Sequence, residues 1–351
     1  MQREIHGGNV YGREVRLDFS VNINPLGMPQ GVRQAITEYT AWDETYPDIE
    51  CTDLRRAIAQ KEGIAPEQIL CGNGASELLM AVVRAAAPEK CAIAAPSFSG
   101  YERAVRAAGA EPVFYELSHD TGFGYETVCD RLSKMTVQML FLCNPNNPTG
   151  NTIPEQILTE ILQFCASKIR VVADECFLRF HPHYEKMSCK RFLKQYPNLL
   201  IVNAFTKFYA MAGLRLGYLM TGDLSLLHAV AQQLPEWNVS SIAQRAGISA
   251  LQDTEYEKRT RQLIEKERRY LIQEFLKMGC TVFPSEADYI TFRLPQEKTG
   301  FLLKERLLEG KILIRSCANY RNMPPDCYRI AVKQHADNEE LVRQVWRILI
   351  Q

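Results

Sequence analysis

Between residues 68 and 222 the chain alternates short apolar runs, rich in β-branched and aromatic residues, with stretches of helical spacing. CAIAAP (91–96), PVFYEL (112–117), VQMLFLC (137–143), IRVVADE (169–175), LLIVNA (199–204) and LGYLM (216–220) read as strands. They are almost continuously apolar instead of alternating, the mark of strands covered on both faces. Segments 75–86, 99–108 and 154–167 carry helical periodicity between them, and Pro154 suits a helix's first turn. Such alternation predicts an α/β fold with a mostly parallel central sheet and helices on both faces.

The pattern changes after Pro235. Residues 241–278 read as one long helical stretch, with Leu263, Ile264, Leu271, Ile272 and Phe275 at helical spacing among charges. Strand-like TVFP (281–284), YITFRL (289–294), KILIRSC (311–317) and YRIAV (328–332) follow, with a helix near 299–309 and another at the end. The expected organisation is a large domain over residues 38–262 and a smaller α+β domain from 1–37 and 263–351. Neither internal repeats nor low-complexity segments occur.

Composition narrows the function classes. Lys+Arg and Asp+Glu balance at 41 each, which removes the excess positive charge that nucleic-acid binding rests on. A small anionic substrate in a local basic pocket stays open. No apolar run has the length of a membrane span, and the opening MQREIHGGNVYGREV lacks a signal peptide's apolar core. A cytoplasmic protein is the expectation, with no membrane or nucleic-acid partner. The 11 cysteines are odd in number and include no C-x-x-C. Reduced, mostly buried thiols fit better than disulfides or a zinc site, and no metal is expected.

Four features stand in order at or just beyond predicted strand ends, where open parallel sheets gather their ligands. CGNGASE (71–77) opens a helix: its glycines allow close backbone approach, and the first-turn N–H groups with Ser76 make an anion site. Alone it is only a tight turn. NPNNPTG (144–150) is a loop dense in turn residues, in which Asn147 is suited to donate to a ring oxygen. Asp174 ends the buried run IRVVA, where a carboxylate is tolerable if it meets a cation, or if it caps the next helix. AFTKFYAMAGLRLGY (204–218) carries Lys207 between two strands, with Thr206 and Arg215 as further anion ligands. An amine among cations has its pKa lowered toward imine formation, whereas a lone loop lysine is ordinary solvated surface. Together these supply a phosphate cup, a donor for a ring oxygen, a carboxylate for a ring nitrogen and an amine for an aldehyde. That set points to an electron-sink cofactor.

With those residues in place the chain resembles the fold-type I pyridoxal-5′-phosphate (PLP) enzymes, in the branch that holds histidinol-phosphate aminotransferase and L-threonine-O-3-phosphate decarboxylase. The resemblance runs along essentially the whole chain and implies the aspartate-aminotransferase-like fold. It implies that Lys207 is the Schiff-base lysine, that Asp174 pairs with the pyridine nitrogen and that Asn147 contacts the ring oxygen. Phe98, in APSF, would stack on the ring; Gly74, Ala75, Ser76, Thr206 and Arg215 would hold the phosphate. Tyr46, in TYPD, looks like the tyrosine that reaches the phosphate of the neighbouring subunit, which implies a homodimer with shared active sites.

Two departures stand out. Ala204 occupies a position where relatives usually carry Ser or Thr, and Phe177 one where many aminotransferases have a tyrosine, which leaves Asn147 as the main ring-oxygen partner. HGGN (6–9), DFSVNINPLG (18–27), ILIRSCANY (312–320) and CYRIAV (327–332) look more like the decarboxylase pattern. By that resemblance Arg329 is the carboxylate-binding arginine, Arg315 and His6 are candidates for the substrate phosphate, and Asn24 lines the same pocket. Arginine suits this through its rigid fork of donors. The expected reaction is decarboxylation of L-threonine O-3-phosphate to (R)-1-aminopropan-2-yl phosphate in cobalamin synthesis. Phosphoserine differs by one methyl, worth about 1–3 kcal/mol of discrimination. The alternative is a histidinol-phosphate-type aminotransferase using 2-oxoglutarate. A non-catalytic PLP-binding regulator is a third reading, for which the chain shows no DNA-binding module.

Overall fold

The computed structural model describes residues 7–8, 10–12, 14–39, 44–119, 122–298, 300 and 302–350. Seven strands build the main sheet: β1 (Ile69–Gly72), β2 (Lys90–Ala95), β3 (Glu111–Glu116), β4 (Met139–Cys143), β5 (Arg170–Asp174), β6 (Leu199–Ala204) and β7 (Gly217–Thr221). Their order is β1-β7-β6-β5-β4-β2-β3. β7 runs antiparallel to both β1 and β6, and the other pairs are parallel. The short edge strand β1 is an element that the apolar pattern did not single out.

The continuous apolar runs are explained by the two cores. Ala92, Ala94, Leu140, Leu142, Val171, Ala173, Leu199 and Ile201 join one cluster, with Leu158 and Ile161 of helix Glu155–Cys165 and Ala243 and Ala246 of helix Ser241–Gln252. Their strand neighbours Cys91, Ile93, Met139, Phe141, Val172, Leu200 and Val202 join the other, under helices Ala75–Ala86 and Ser99–Ala107. Successive strand residues thus face opposite layers, and each layer is covered by helices. Full burial of each large aliphatic side chain contributes about 1.5–3 kcal/mol.

A second sheet of four strands, Arg315–Ser316, Cys327–Ala331, Tyr289–Arg293 and Thr281–Val282 in that spatial order, is antiparallel. Leu17–Asp18 pairs in parallel with Ile312–Leu313. The run 311–317 is therefore two strands serving two sheets, with Ile314 between them. The stretch 241–278 is likewise two helices, Ser241–Gln252 and Thr254–Lys277. Asp253 breaks it: its side chain accepts from the Tyr256 N–H at 2.9 Å and caps the second helix. Among the described residues no helix is long and apolar enough to cross a membrane.

On the side of the sheet packed by helix Thr52–Glu62, a buried charge cluster ties elements together. Glu62 meets Arg179, accepts from Tyr218 Oη at 2.7 Å and Tyr184 Oη at 2.9 Å, and pairs with Lys190 at 2.9 Å. Burial opposes its ionisation, but Arg179 and Lys190 outweigh that and bring its carboxyl down to about 2.

Candidate active site

The carboxyl ends of the parallel strands open on a cavity of about 360 Å³. β5 ends at Asp174, in register with Cys143 of β4 and Val202 of β6. β4 runs into the asparagine loop, and β6 into the single turn Phe205–Phe208 that carries Lys207. The topology therefore delivers Asn147, Asp174 and Lys207 to one place.

In the asparagine loop only one amide turns to the cavity. Asn144 Oδ1 accepts from the Ile153 N–H, and Asn146 Nδ2 donates to Pro96 O and Thr149 Oγ1, so both brace the backbone. Asn147 Oδ1 accepts from Arg329 Nη1 at 2.6 Å and from Tyr320 Oη at 3.1 Å. A guanidinium can only donate, so Oδ1 is the acceptor here and Nδ2 remains the amide's donor end.

Asp174 is held at both oxygens. Oδ1 accepts from the Cys176 N–H at 3.0 Å and Oδ2 from Tyr101 Oη at 2.7 Å. Tyr101 is fully buried, stacked on Phe141 and edge-on to Phe98. Burial, then the charge of Asp174, drives its phenol well above the ordinary range, so it stays a donor.

Lys207 Nζ reaches the same cavity, 6.0 Å from the centroid of the Phe177 ring. Burial draws its ammonium below the usual lysine range; Arg329 and Arg215 add to the fall and Asp288 opposes it. A larger share of free amine is the form a nucleophile needs. Phe177 packs edge-on against Tyr289 and offers no hydroxyl.

At one end of the cavity Ala75 and Ser76, in the first turn of a twelve-residue helix, stand with Thr206 and Arg215. Gly74 shapes this cup. Its φ is +84°, and a Cβ there would lie 2.8 Å from Arg215 Nη2. Helix N–H groups, two hydroxyls and a guanidinium converge there as an anion site. Phe98 lines the cavity from beyond β2. On the far side Arg329, 5% exposed, gives Nη2 to Ser20 O at 2.9 Å. Arg315 stands nearer the mouth, with Nη2 on Asn319 Oδ1 at 2.8 Å.

Three of the expected residues need separate accounts. Asn24 is corrected: its Nδ2 donates to Phe208 O and Thr260 Oγ1 and its Oδ1 accepts from the Leu26 N–H, so its side chain is consumed in the core. Asn22, two residues earlier, lines the cavity instead, and its Oδ1 is buried without a partner among the described residues. Tyr46 lies outside the Lys207 cavity, 78% exposed and stacked on Trp237 at 4.6 Å. His6 lies outside the described residues; its neighbour Gly7 lines the cavity. Sequence reasoning missed Tyr101, Tyr320, Asn22 and Arg103, an exposed arginine at the same cavity. Tyr101 follows Phe98 by three residues on one helix face, a spacing that could have drawn notice.

The model of the family described as "Aminotransferase class I and II" matches residues 14–345. This chain belongs to that family. Among its relatives, the threonine-phosphate decarboxylase of Salmonella typhimurium is 34% identical, over 98% of this chain and 96% of its own. The histidinol-phosphate aminotransferase of Clostridium acetobutylicum superposes with a TM-score of 0.87 at 31% identity, covering 95% of this chain and 99% of that one. The L-threonine-O-3-phosphate decarboxylase of Porphyromonas gingivalis gives a TM-score of 0.82 at 25% identity, covering 95% and 100%. The aspartate-aminotransferase-like α/β fold expected of this class I and II member is thereby established.

The residues fit a phosphorylated pyridine aldehyde. The anion cup, the Asn147 donor, the fixed Asp174 carboxylate and an amine without a hydrogen bond among the described residues border one cavity.

Proposed function

We propose that this protein is a PLP-dependent lyase that decarboxylates L-threonine O-3-phosphate to (R)-1-aminopropan-2-yl phosphate, a step of cobalamin synthesis. The observation that carries the reading is a pair of anion stations beside Lys207: Arg329 deep in the cavity and Arg315 near its mouth. A substrate with a carboxylate and a phosphate needs both. The similarity to the Salmonella threonine-phosphate decarboxylase supports the choice.

In this reading Lys207 holds PLP, Asp174 meets its ring nitrogen, Asn147 its ring oxygen and Phe98 its face. Gly74, Ala75, Ser76, Thr206 and Arg215 hold its phosphate. When bound, PLP supplies a sink for the electron pair left at the substrate Cα. Arg329 grips the substrate carboxylate and Arg315 the phosphate, with His6 as a further ligand. Two fixed points would set which substrate Cα bond is presented to that sink. In decarboxylation that bond is Cα–CO₂⁻; CO₂ leaves and the Lys207 ammonium returns a proton to Cα. In transamination the bond is Cα–H, with the Lys207 amine as base.

We further propose a homodimer in which Tyr46 of each copy serves the other's phosphate cup. Its exposed ring, outside its own cavity, supports that. The chain divides as 38–262 and as 1–37 with 263–351. Pairing of Leu17–Asp18 with Ile312–Leu313 supports joining the two outer segments. The cytoplasm is the proposed location.

The test is direct. Purified enzyme is supplied separately with L-threonine O-3-phosphate, O-phosphoserine and histidinol phosphate, and CO₂ and carbonyl products are measured. CO₂ release from the first, with the cofactor remaining an aldehyde, is expected. A product dependent on 2-oxoglutarate, without CO₂, would establish the aminotransferase that the Clostridium neighbour performs by its name.

A further inference from the structure

The roles above leave Tyr320 without one. It lies in the loop between strands Arg315–Ser316 and Cys327–Ala331, partly buried, and lines the cavity that Lys207, Asn147 and Arg329 also line. Its hydroxyl donates to Asn147 Oδ1 at 3.1 Å, the same oxygen that takes Arg329 Nη1 at 2.6 Å. Its ring faces the other anion station, with the Arg315 guanidinium 5.5 Å from the ring centre, inside the range of a cation–π contact. One side chain thus joins the candidate ring-oxygen ligand to a candidate phosphate ligand.

The loop is anchored next to Tyr320. The Tyr320 N–H donates to Cys317 O at 2.9 Å. Two residues on, Asn322 Nδ2 donates to Ala95 O and to Leu117 O, each at 2.9 Å, and Asn322 Oδ1 stands 3.1 Å from His119 Nε2. Those carbonyls lie at the ends of β2 and β3, so a segment of the second sheet is pinned to the carboxyl edge of the main one. Between the two, the Arg321 guanidinium lies 4.0 Å from the centre of the Phe114 ring. Burial pushes the Tyr320 phenol above its ordinary range; Arg329 and Arg315 oppose the rise and Cys317 adds to it. The hydroxyl therefore keeps the proton that it donates.

We propose that Tyr320 is a positioning residue whose hydroxyl shares with Arg329 the hold on the Asn147 carbonyl, and so keeps that amide's donor end available to a ring oxygen. Held at its oxygen by both donors, the amide cannot reverse without setting its own N–H groups against a guanidinium that only donates. The inference rests on Lys207 as the anchor of PLP and Asn147 as its ring-oxygen ligand in the proposed function, and not on which substrate or reaction follows.

Tyr320→Phe removes the hydroxyl and keeps the ring beside Arg315. The near-visible absorbance of the holoenzyme is titrated against pH, without substrate, for wild type, Tyr320→Phe, Asn147→Ala and the double variant. A donor on the ring oxygen favours its charged form and draws the titration to lower pH, so a loosened donor should raise the midpoint. Tyr320→Phe should raise it by about half a unit to one unit, and Asn147→Ala by at least as much. With Asn147→Ala in place the hydroxyl has nothing left to hold, so the double variant should match Asn147→Ala alone. A Tyr320→Phe midpoint equal to wild type, with Asn147→Ala shifted, would overturn the inference and leave the proposed reaction standing. An undiminished Tyr320→Phe shift in the double variant would overturn it too, since the hydroxyl would then act without Asn147. An unshifted Asn147→Ala would instead remove Asn147 from the ring oxygen, and this inference with it.

Discussion

Gly74→Ala tests the phosphate cup with a single methyl group. The added Cβ would lie 2.8 Å from Arg215 Nη2 and 3.3 Å from its Cζ. The guanidinium must therefore swing away from the helix that starts at Ala75. The backbone adds its own resistance, because φ is +84° with ψ 163°, a region essentially confined to glycine, where an L side chain costs about 1–3 kcal/mol. A charge-assisted hydrogen bond to phosphate contributes about 1.5–3 kcal/mol. Its loss weakens PLP binding about tenfold to a hundredfold, at 1.4 kcal/mol per factor of ten. The assay is reconstitution of cofactor-free enzyme with PLP, followed by absorbance, beside thermal unfolding of the cofactor-free form. Gly213→Ala is the control: that glycine has no positive φ and nothing lies within 4 Å of its added Cβ. An affinity for the Gly74 variant within twofold of the control would refute the idea that Arg215 and the first helical turn act together on the phosphate.

Two further outcomes are expected. Arg329→Lys keeps the charge but loses the fork that spans Asn147 Oδ1 and Ser20 O; steady-state kinetics should show KM for the substrate rising at least about tenfold, and an unchanged KM would remove Arg329 from carboxylate binding. Glu62→Gln should cost about 3 kcal/mol at neutral pH in denaturant unfolding, from a carboxyl lowered from 4.5 to about 2. Because the folded value is depressed, that stabilisation is complete above the unfolded value and fades as pH falls through about 2. The gap between wild type and variant should therefore narrow on acidification, and a gap that widens would contradict the linkage.

Much of the fold was legible because strands buried on two faces must be apolar at every position. The runs at 91–96, 112–117, 137–143, 169–175, 199–204 and 216–220 each match a strand of the main sheet to within two residues at either end. Edge strand β1 escaped, being four residues long and ending in a glycine. The break at Asp253 escaped because helical periodicity continues across it, and only the capping bond to Tyr256 reveals two helices. The cavity residues Asn147, Asp174 and Lys207 were legible for a related reason: polar groups that close apolar runs stand out against them.

By itself the sequence determined which apolar segments form strands and helices, which turns sit at their ends and which side chains there carry charge, since all these follow from spacing along the chain. Tertiary structure alone decided the partners. Arg329 meets Asn147 across 182 residues of sequence, Tyr101 meets Asp174 across 73, and Asn22 faces the cavity while Asn24 is spent in the core. Such contacts depend on how one sheet packs over another, and residue spacing holds no record of that distance.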